Sequence, residues 1–415
     1  MARILILIGN HLATAPRPQK EAMALVAAGH QVEVMGVWSD AAVVARDELL
    51  LRRGVWRFQP VLDFRPQGWL GRVTHLRVRL LARVARKLYR TTGLLTPELL
   101  GYGVRELLRA ALQRRADLTI VHAEGGLWIG QRLLAAGLRV GVDFEDWFSE
   151  DLPPEVNRDR PIAHLRVMER ALLRGSCYAL ATSQAMAAAL AARYDLPAPR
   201  VVYNVFPWAD RETLDGECVD RSPERRGVSL HWFSQTLGPG RGLEFLWAAL
   251  PYVQAPVEIH LRAGASPAAR QWLEQNVAPA WRSRVVVHPI VPNHALLSRI
   301  SEHDVGLSLD DTRIFSRDLT VTNKLFQYLL AGLPVIATAT RGQREVLGSF
   351  PAAGCLVAPG DARGLAAAID DLAGCSERLV AGKKAALALA RTRYCWELQA
   401  PVVQGAVAEA LQKND

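Results

Sequence analysis

The chain has 415 residues, half of them hydrophobic, a formal net charge of +9 and a pI near 9.6. That length exceeds one ordinary core and sets two domains as the expectation, and the charge points to an anionic partner: a nucleotide, an anionic membrane surface or a nucleic acid. The five scattered cysteines have no CxxC spacing, so neither a zinc site nor a disulfide framework is indicated; a reducing cytoplasm is the plain reading.

Arg3–Ile8 reads as a buried parallel strand, with an apolar run too short for a signal sequence. No uninterrupted apolar run reaches transmembrane length. A loop opens at Gly9-Asn10-His11, Pro18–Ala28 reads as a helix stopped by Gly29, and Gln31–Met35 as a second strand. The G-x-G-x-x-G fingerprint is absent from this βαβ unit, which counts against a nicotinamide enzyme. His11 and Arg17, in or beside the loop, are either solvated or substrate-contacting. Between Arg65 and Arg90 lie Arg72, Arg77, Arg79, Arg83, Arg86 and Lys87 with no acidic residue, and Leu76, Leu80, Leu81, Val84 and Leu88 recur among them at helical spacing. The basic region 65–115 therefore carries an amphipathic helix suited to an anionic lipid surface; the alternative is a solvated helix packed on its own sheet. Aromatics are not interleaved as stacking platforms, so no nucleic acid is expected as partner.

Asp117–His122 is a further strand, releasing His122 and Glu124, and Arg139–Val142 is the next, releasing Asp143, Glu145, Asp146 and Glu150. Carboxyl ends of strands line the ligand crevice of an open α/β sheet. Asp143 and Glu145 are thus catalytic candidates, whereas Glu150 reads as a solvated charge. Tyr178–Thr182 and a helix capped by Ser183 repeat the pattern, and Val201–Val205 closes the first domain. Residues 1–206 form that domain, 207–227 a linker containing Pro207 and Pro223, and 228–394 the second domain.

Val228–Phe233 opens the second domain as a strand, and the glycine-rich loop Ser234–Gly242 leads into a helix near Leu243. Such a loop presents backbone N–H groups to an anion, and Arg241 adds a fixed positive fork, which makes Gly240, Arg241 and Gly242 anion-site candidates. Glu258–Ala263 and Val285–Ile290 are strands, the latter containing His288. Asp304–Leu309 is another, followed by a polar loop from Asp310 to Val321. Leu325, Phe326, Leu329 and Leu330 share one helix face, Gly332 supplies the stop, Pro334 cannot continue the helix, and Val335–Ala337 reads as a buried strand. The polar loop and the helix start at Asn323 and Lys324 lie where an open sheet binds its ligand. A strand at Cys355–Val357, an alanine-rich helix from Asp361 and a last segment, Tyr394–Leu411, complete the chain.

The stretch from Thr322 to Thr338 resembles the nucleotide-sugar site of the retaining group 1 (family 4) glycosyltransferases with the GT-B fold. Lys324, Tyr328, Leu329, Gly332 and Pro334 match that family's pattern, and Arg241-Gly242 aligns with its diphosphate-binding Lys-Gly or Arg-Gly. The sequence departs from the family where the other basic residue, five positions earlier, is Thr236, and where its glutamate pair falls near Leu319 and on Gln327. The resemblance implies an α/β protein with two Rossmann-like parallel-sheet domains facing a central cleft, and a C-terminal helix of about 395–415 packed back on the first. It implies a donor site that includes Asn323 and Gln327, with the base held near His288, which is either a donor contact or a core residue. It further implies a hexosyltransferase-like enzyme, with no metal and no cofactor, moving a sugar from a nucleoside-diphosphate sugar to a glycan, lipid-linked sugar or polysaccharide. Arg241 and Lys324 would bear the leaving diphosphate's charge in front-face displacement. The setting would be polysaccharide biosynthesis in the cytoplasm, peripheral on the inner face of the cell membrane. Loss of the glutamate pair motivates one alternative, a non-catalytic GT-B scaffold that binds sugar nucleotides; a nucleotide-sugar epimerase of the same fold is the other.

Overall fold

The computed structural model describes the chain except residues 53, 66–67, 154, 156–159, 222–226 and 413–415. Pro223 of the expected linker and the tail of the expected last helix lie outside the described residues. The chain divides into two compact units, Met1–Val202 with Ala400–Asp415, and Tyr203–Gln399.

The first unit is built on strands β1 (Arg3–Leu7), β2 (Gln31–Trp38), β3 (Arg57–Asp63), β4 (Leu118–Val121), β5 (Val140–Phe144), β6 (Tyr178–Ala181) and β7 (Arg200–Val201). They form a parallel sheet in the order β3-β2-β1-β4-β5-β6-β7. The order reverses between β1 and β4, so the loops after those two strands diverge and leave a crevice. Ile4–Leu7 are almost inaccessible, as expected for a parallel strand covered on both faces. The covering helices are α1 (Pro16–Ala27), α2 (Ala41–Leu51), α3 (Gly68–Thr92), α4 (Val104–Arg114), α5 (Ala123–Ala135), α6 (Ile162–Gly175) and α7 (Gln184–Tyr194). Ser183 caps α7, its hydroxyl accepting the Met186 N–H at 3.0 Å. One expectation is corrected here: β5 runs to Phe144, so Asp143 sits inside the strand and is not released into a loop.

The second unit carries β8 (Val228–Thr236), β9 (Val257–Gly264), β10 (Val285–His288), β11 (Val305–Ser308), β12 (Val335–Thr338) and β13 (Gly354–Val357), parallel in the order β10-β9-β8-β11-β12-β13. Its reversal falls between β8 and β11. The helices are α8 (Leu243–Ala249), α9 (Pro267–Asn276), α10 (Asn293–Ser301), α11 (Phe315–Leu319), α12 (Asn323–Ala331), α13 (Arg341–Leu347), α14 (Ala362–Ala373) and α15 (Ser376–Thr392); α16 (Trp396–Gln412) carries the chain back to the first unit. In α16, Gln404 donates to the Ala24 carbonyl at 2.8 Å.

The stop of α12 follows from its sequence. Gly332 takes φ +83°, and the Leu333 N–H returns to the Tyr328 carbonyl at 2.9 Å, satisfying carbonyls that the helix end leaves open. Tyr328 lies flat on β11 because Gly306 has no side chain: a Cβ there would stand 2.2 Å from the ring. The phenol then donates to the His231 carbonyl at 2.8 Å, tying α12 to β8.

Candidate active site

The loops leaving β8 and β11 meet at the reversal point of the second sheet. Gly242, at φ +83°, is pressed against β11's end, where a Cβ would lie 2.3 Å from the Leu309 carbonyl oxygen. Only glycine fits there, and this approach places Arg241 beside the segment that follows β11. Arg241 is exposed, with Nη2 3.4 Å from the Thr236 hydroxyl. Lys324, at the start of α12, has its ammonium 5.4 Å from the centroid of the buried Trp232 ring. Burial pushes its pKa below the ordinary lysine value; Asp310 opposes that shift, and Arg241 and Arg317 reinforce it. Asp310 is held above the usual carboxylate range by burial, against the pull of Lys324 and Arg317. Thr322 makes no side-chain cap to α12, so the first N–H groups of that helix, from Asn323 onward, are not closed off by it.

Two features differ from the sequence reading. The glycine-rich segment is shorter than expected, because β8 continues to Thr236, and α8 has only seven residues. Helix-dipole support for an anion there is therefore slight, and the charge must come from side chains. The Gly240 N–H is also engaged, donating to the Glu244 carboxylate at 2.6 Å. Sequence reasoning missed Arg317, which enters from the short α11 and donates from Nη1 to the Gly240 carbonyl at 2.9 Å. A polar loop after a strand gives no periodic signal that could have singled it out.

Gln327 is half-buried one turn along α12 from Asn323 and Lys324. Leu319, where a family glutamate would stand, is buried. His288 is not brought to this loop cluster. Its Nε2 lies 3.0 Å from His260 Nδ1 and its Nδ1 3.3 Å from Asp220, so both ring nitrogens are engaged inside the protein.

In the first unit, the residues after β4 and in β5 join α1 in a buried charged cluster at that sheet's own reversal point. Asp143, almost inaccessible, accepts from Arg17 Nε at 2.5 Å, while Arg17 Nη1 donates to the Val202 carbonyl at 2.6 Å. His122 sits between two carboxylates, with Nδ1 2.8 Å from Glu145 and Nε2 3.1 Å from Glu21. Burial works against the imidazolium, but Glu21 and Glu145 outweigh it and push its pKa up to about 10. Glu21 is pushed up to about 7, mainly by its own burial. Asp143 is held low: burial opposes its charge, and Arg17 overcomes that. His122 is thus a charged donor near neutral pH and not a general base. Asp143 is spent on Arg17, and only Glu145, 29% exposed at its side chain, opens to solvent. Glu21, His122 and Asp143 bring ligand-type atoms within 4.8 Å of one another, yet the cations of that cluster are already present as Arg17 and the imidazolium. Arg17 was legible only as a loop-side candidate; its partner lies 126 residues away.

Residues 232–374 match the family model described as glycosyl transferases group 1, a span that holds Arg241, Arg317, Lys324 and Gln327. Among solved structures, the chain is similar to Anabaena HepE in complex with UDP at 17% identity and a TM-score of 0.66, covering 98% of this chain and 100% of that one. It is similar to sucrose-phosphate synthase from Thermosynechococcus elongatus at 17% identity and a TM-score of 0.69, covering 99% of each chain. The fold is GT-B. The same GT-B likeness extends to a putative UDP-N-acetylglucosamine 2-epimerase from Listeria monocytogenes at 11% identity and a TM-score of 0.59, covering 100% of this chain and 97% of that one. A comparison with curated protein sequences finds no match. In GT-B terms the two parallel sheets are the two Rossmann-like halves, and the group 1 match lies wholly within the second.

Proposed function

We propose that the protein is a retaining, metal-independent glycosyltransferase that moves a sugar from a nucleoside-diphosphate sugar to a glycan or lipid-linked acceptor. The observation that carries this reading is the gathering of Arg241, Arg317 and Lys324 at the reversal point of the second sheet, inside the group 1 match. HepE structures hold UDP and UDP-glucose, which supports the same class of donor here. Arg241 and Lys324 stabilise charge growing on the leaving diphosphate, a preorganised electrostatic contribution. Gln327 holds the donor's ribose hydroxyls through its amide, a neutral contact in place of a charge-assisted one. The leaving phosphate takes the acceptor's proton, so no strong protein base is needed, and Glu145 orients the acceptor in preference to Asp143, which is buried and paired with Arg17. Incubation with a panel of donors, with and without a chelator, and determination of the product's anomeric configuration by NMR test this. A transferred sugar with inverted configuration rejects retention, an isomerised nucleotide sugar selects the epimerase reading, and binding without turnover selects the scaffold.

The reading includes an anionic membrane surface on the cytoplasmic side. No described helix is long and apolar enough to cross a membrane. In the 25-residue α3, Ala82 and Ala85 face the protein, while Trp69 and Leu76, 72% and 69% exposed, align with the exposed Val73, Leu80 and Val84 in one apolar stripe. Arg72, Arg77, Arg79, Arg83, Arg86, Lys87 and Arg90 flank it with no acidic residue. Two such faces would repel each other, so charge favours anionic lipid over a second copy of the chain. The protein should bind anionic vesicles at low salt and leave them at high salt, the attraction fading over about 8 Å at physiological ionic strength. The pair Leu76→Glu and Leu80→Glu should abolish binding. Equal partitioning onto neutral and anionic vesicles would end the electrostatic role.

A further inference from the structure

The loops after β8 and β11 carry more positive charge than the protein itself neutralises. Among the described residues, Arg241, Arg317 and Lys324 have no carboxylate within ion-pairing distance, whereas the neighbouring Asp311 and Asp318 are taken by Arg313 and Arg341, each at 2.6 Å. Glu244 accepts the Gly240 N–H. Asp310 is the remaining carboxylate in the field of Lys324 and Arg317, and its main-chain N–H is fixed to the Thr338 hydroxyl at 3.0 Å. Three cations against the half-buried Asp310 and against Glu244, whose bond to a neutral N–H leaves its charge in place, still leave an excess of positive charge, in a place where like charges are close enough to disfavour one another. Such an arrangement is stable only because exposure on one side lets water or an anion compensate it.

Arg317 is the member of this trio with a second task. Its Nη1 holds the Gly240 carbonyl, which fixes the glycine-rich loop against α11. A guanidinium has five N–H donors in a rigid fork, so one bond to Gly240 leaves the others to point elsewhere. We propose that Arg317 is a third cation of the diphosphate site, binding the same anion as Arg241 and Lys324 while it holds Gly240 in place. The inference rests on the donor reading above and assigns to this site a residue outside the stretch that carries the family resemblance. Thr236, whose hydroxyl is 3.4 Å from Arg241, lies close enough for a lysine placed there to return a lost charge to the same space.

The test uses inorganic pyrophosphate, which reads the anion site without a base or sugar, measured by titration calorimetry on the full chain, with folding checked by circular dichroism. Arg317→Ala should weaken pyrophosphate binding about tenfold, as expected for loss of one charge-assisted contact. Arg317→Gln keeps a donor for Gly240 without the charge and should lose nearly as much, whereas Arg317→Lys and the double variant Arg317→Ala/Thr236→Lys should recover most of the affinity. Full affinity in Arg317→Gln reduces Arg317 to a loop clamp and overturns the inference while leaving the donor site standing. Full affinity in Arg317→Ala overturns it outright. If the wild type binds neither pyrophosphate nor UDP, the donor site itself fails and the inference with it; loss confined to Arg241→Ala and Lys324→Ala preserves the former and sinks the latter.

Discussion

Replacing Arg241 or Lys324 with alanine weakens nucleoside-diphosphate binding by roughly ten- to a hundred-fold for each residue. A hydrogen bond to an ionised phosphate is worth on the order of 1.5–3 kcal/mol, more than a neutral contact, because donor and acceptor both carry charge. The two residues reach this effect differently. Arg241 is exposed and donates through a fork held at the end of the Gly242 turn. Lys324 is a point charge over the Trp232 ring, and its burial, together with Arg241 and Arg317, lowers its pKa. The ammonium is therefore under strain without an anion, and Lys324→Ala should keep or raise the melting temperature while it lowers affinity. That opposite movement of stability and binding marks a functional site. Affinity in the wild type should also decline on the alkaline side earlier than for an ordinary lysine, since the neutral amine no longer attracts phosphate. Calorimetric titration with UDP measures all of this; unchanged affinity in both alanine variants removes the phosphate site.

How far this site was legible in the sequence depends on whether its residues act locally. Gly332 and Pro334 announce the end of α12 through backbone chemistry that needs no tertiary context, and the left-handed Gly332 is found where the helix stops. Arg241 was visible because glycines flank it. Arg317 was not, since α11 spans only Phe315–Leu319 and its register is set by packing of Leu319 and Ser316, not by a repeat. The first unit shows the same division. The strand before Asp143 was readable, but that it runs on through Asp143, and that the carboxylate meets a guanidinium, depended on partners brought from elsewhere: β6 alongside and Arg17 from α1. The basic character of α3 was plain in the sequence. Exposure of its apolar stripe was not, because leucines at helical spacing are normally the buried face.

The least legible feature is a histidine cluster assembled from four separate segments, and it lowers stability in acid. His231 on β8, His260 on β9, His288 on β10 and His303 before β11 are all buried. His231 and His303 stack at 4.5 Å and His260 and His288 at 5.2 Å, with Arg221 and Arg262 adding positive field. Asp220 is the counter-charge, ion-paired with Arg262, 3.3 Å from His288 and 3.6 Å from His303. Burial is the first cause that keeps these rings neutral, and the neighbouring cations add to it: His260 is pushed down to about 3, His231 lies well below its ordinary value, and His288 and His303 are lowered. In the unfolded chain each histidine titrates near 6.5. Below that pH the unfolded state takes up protons that the folded state refuses, so stability falls with pH, by at most about 1.4 kcal/mol per unit for each ring, until the folded pKa is reached. Asp220, whose folded pKa is depressed, contributes stability that is complete above about 4 and does not offset this loss. His231 and His260 alone account for a loss of roughly 4 kcal/mol between pH 7 and pH 5, a large share of the few to fifteen that a domain has; Glu21, whose raised folded pKa of about 7 makes the folded chain take up a proton over the same range, offsets part of it. His231 allows a clean test, because neither of its ring nitrogens has a hydrogen-bond partner among the described residues, its hydrogen bond with Tyr328 is through the main-chain carbonyl, and its edge contact with the Tyr328 ring is one that a phenyl can keep. His231→Phe should preserve the stacking and the volume, raise stability at pH 5 relative to wild type, and reduce the slope of unfolding free energy against pH by about one proton's worth between pH 6 and 5. Denaturant titrations at pH 7, 6 and 5 measure that slope. A slope untouched by His231→Phe would show that this ring accepts its proton in the folded state.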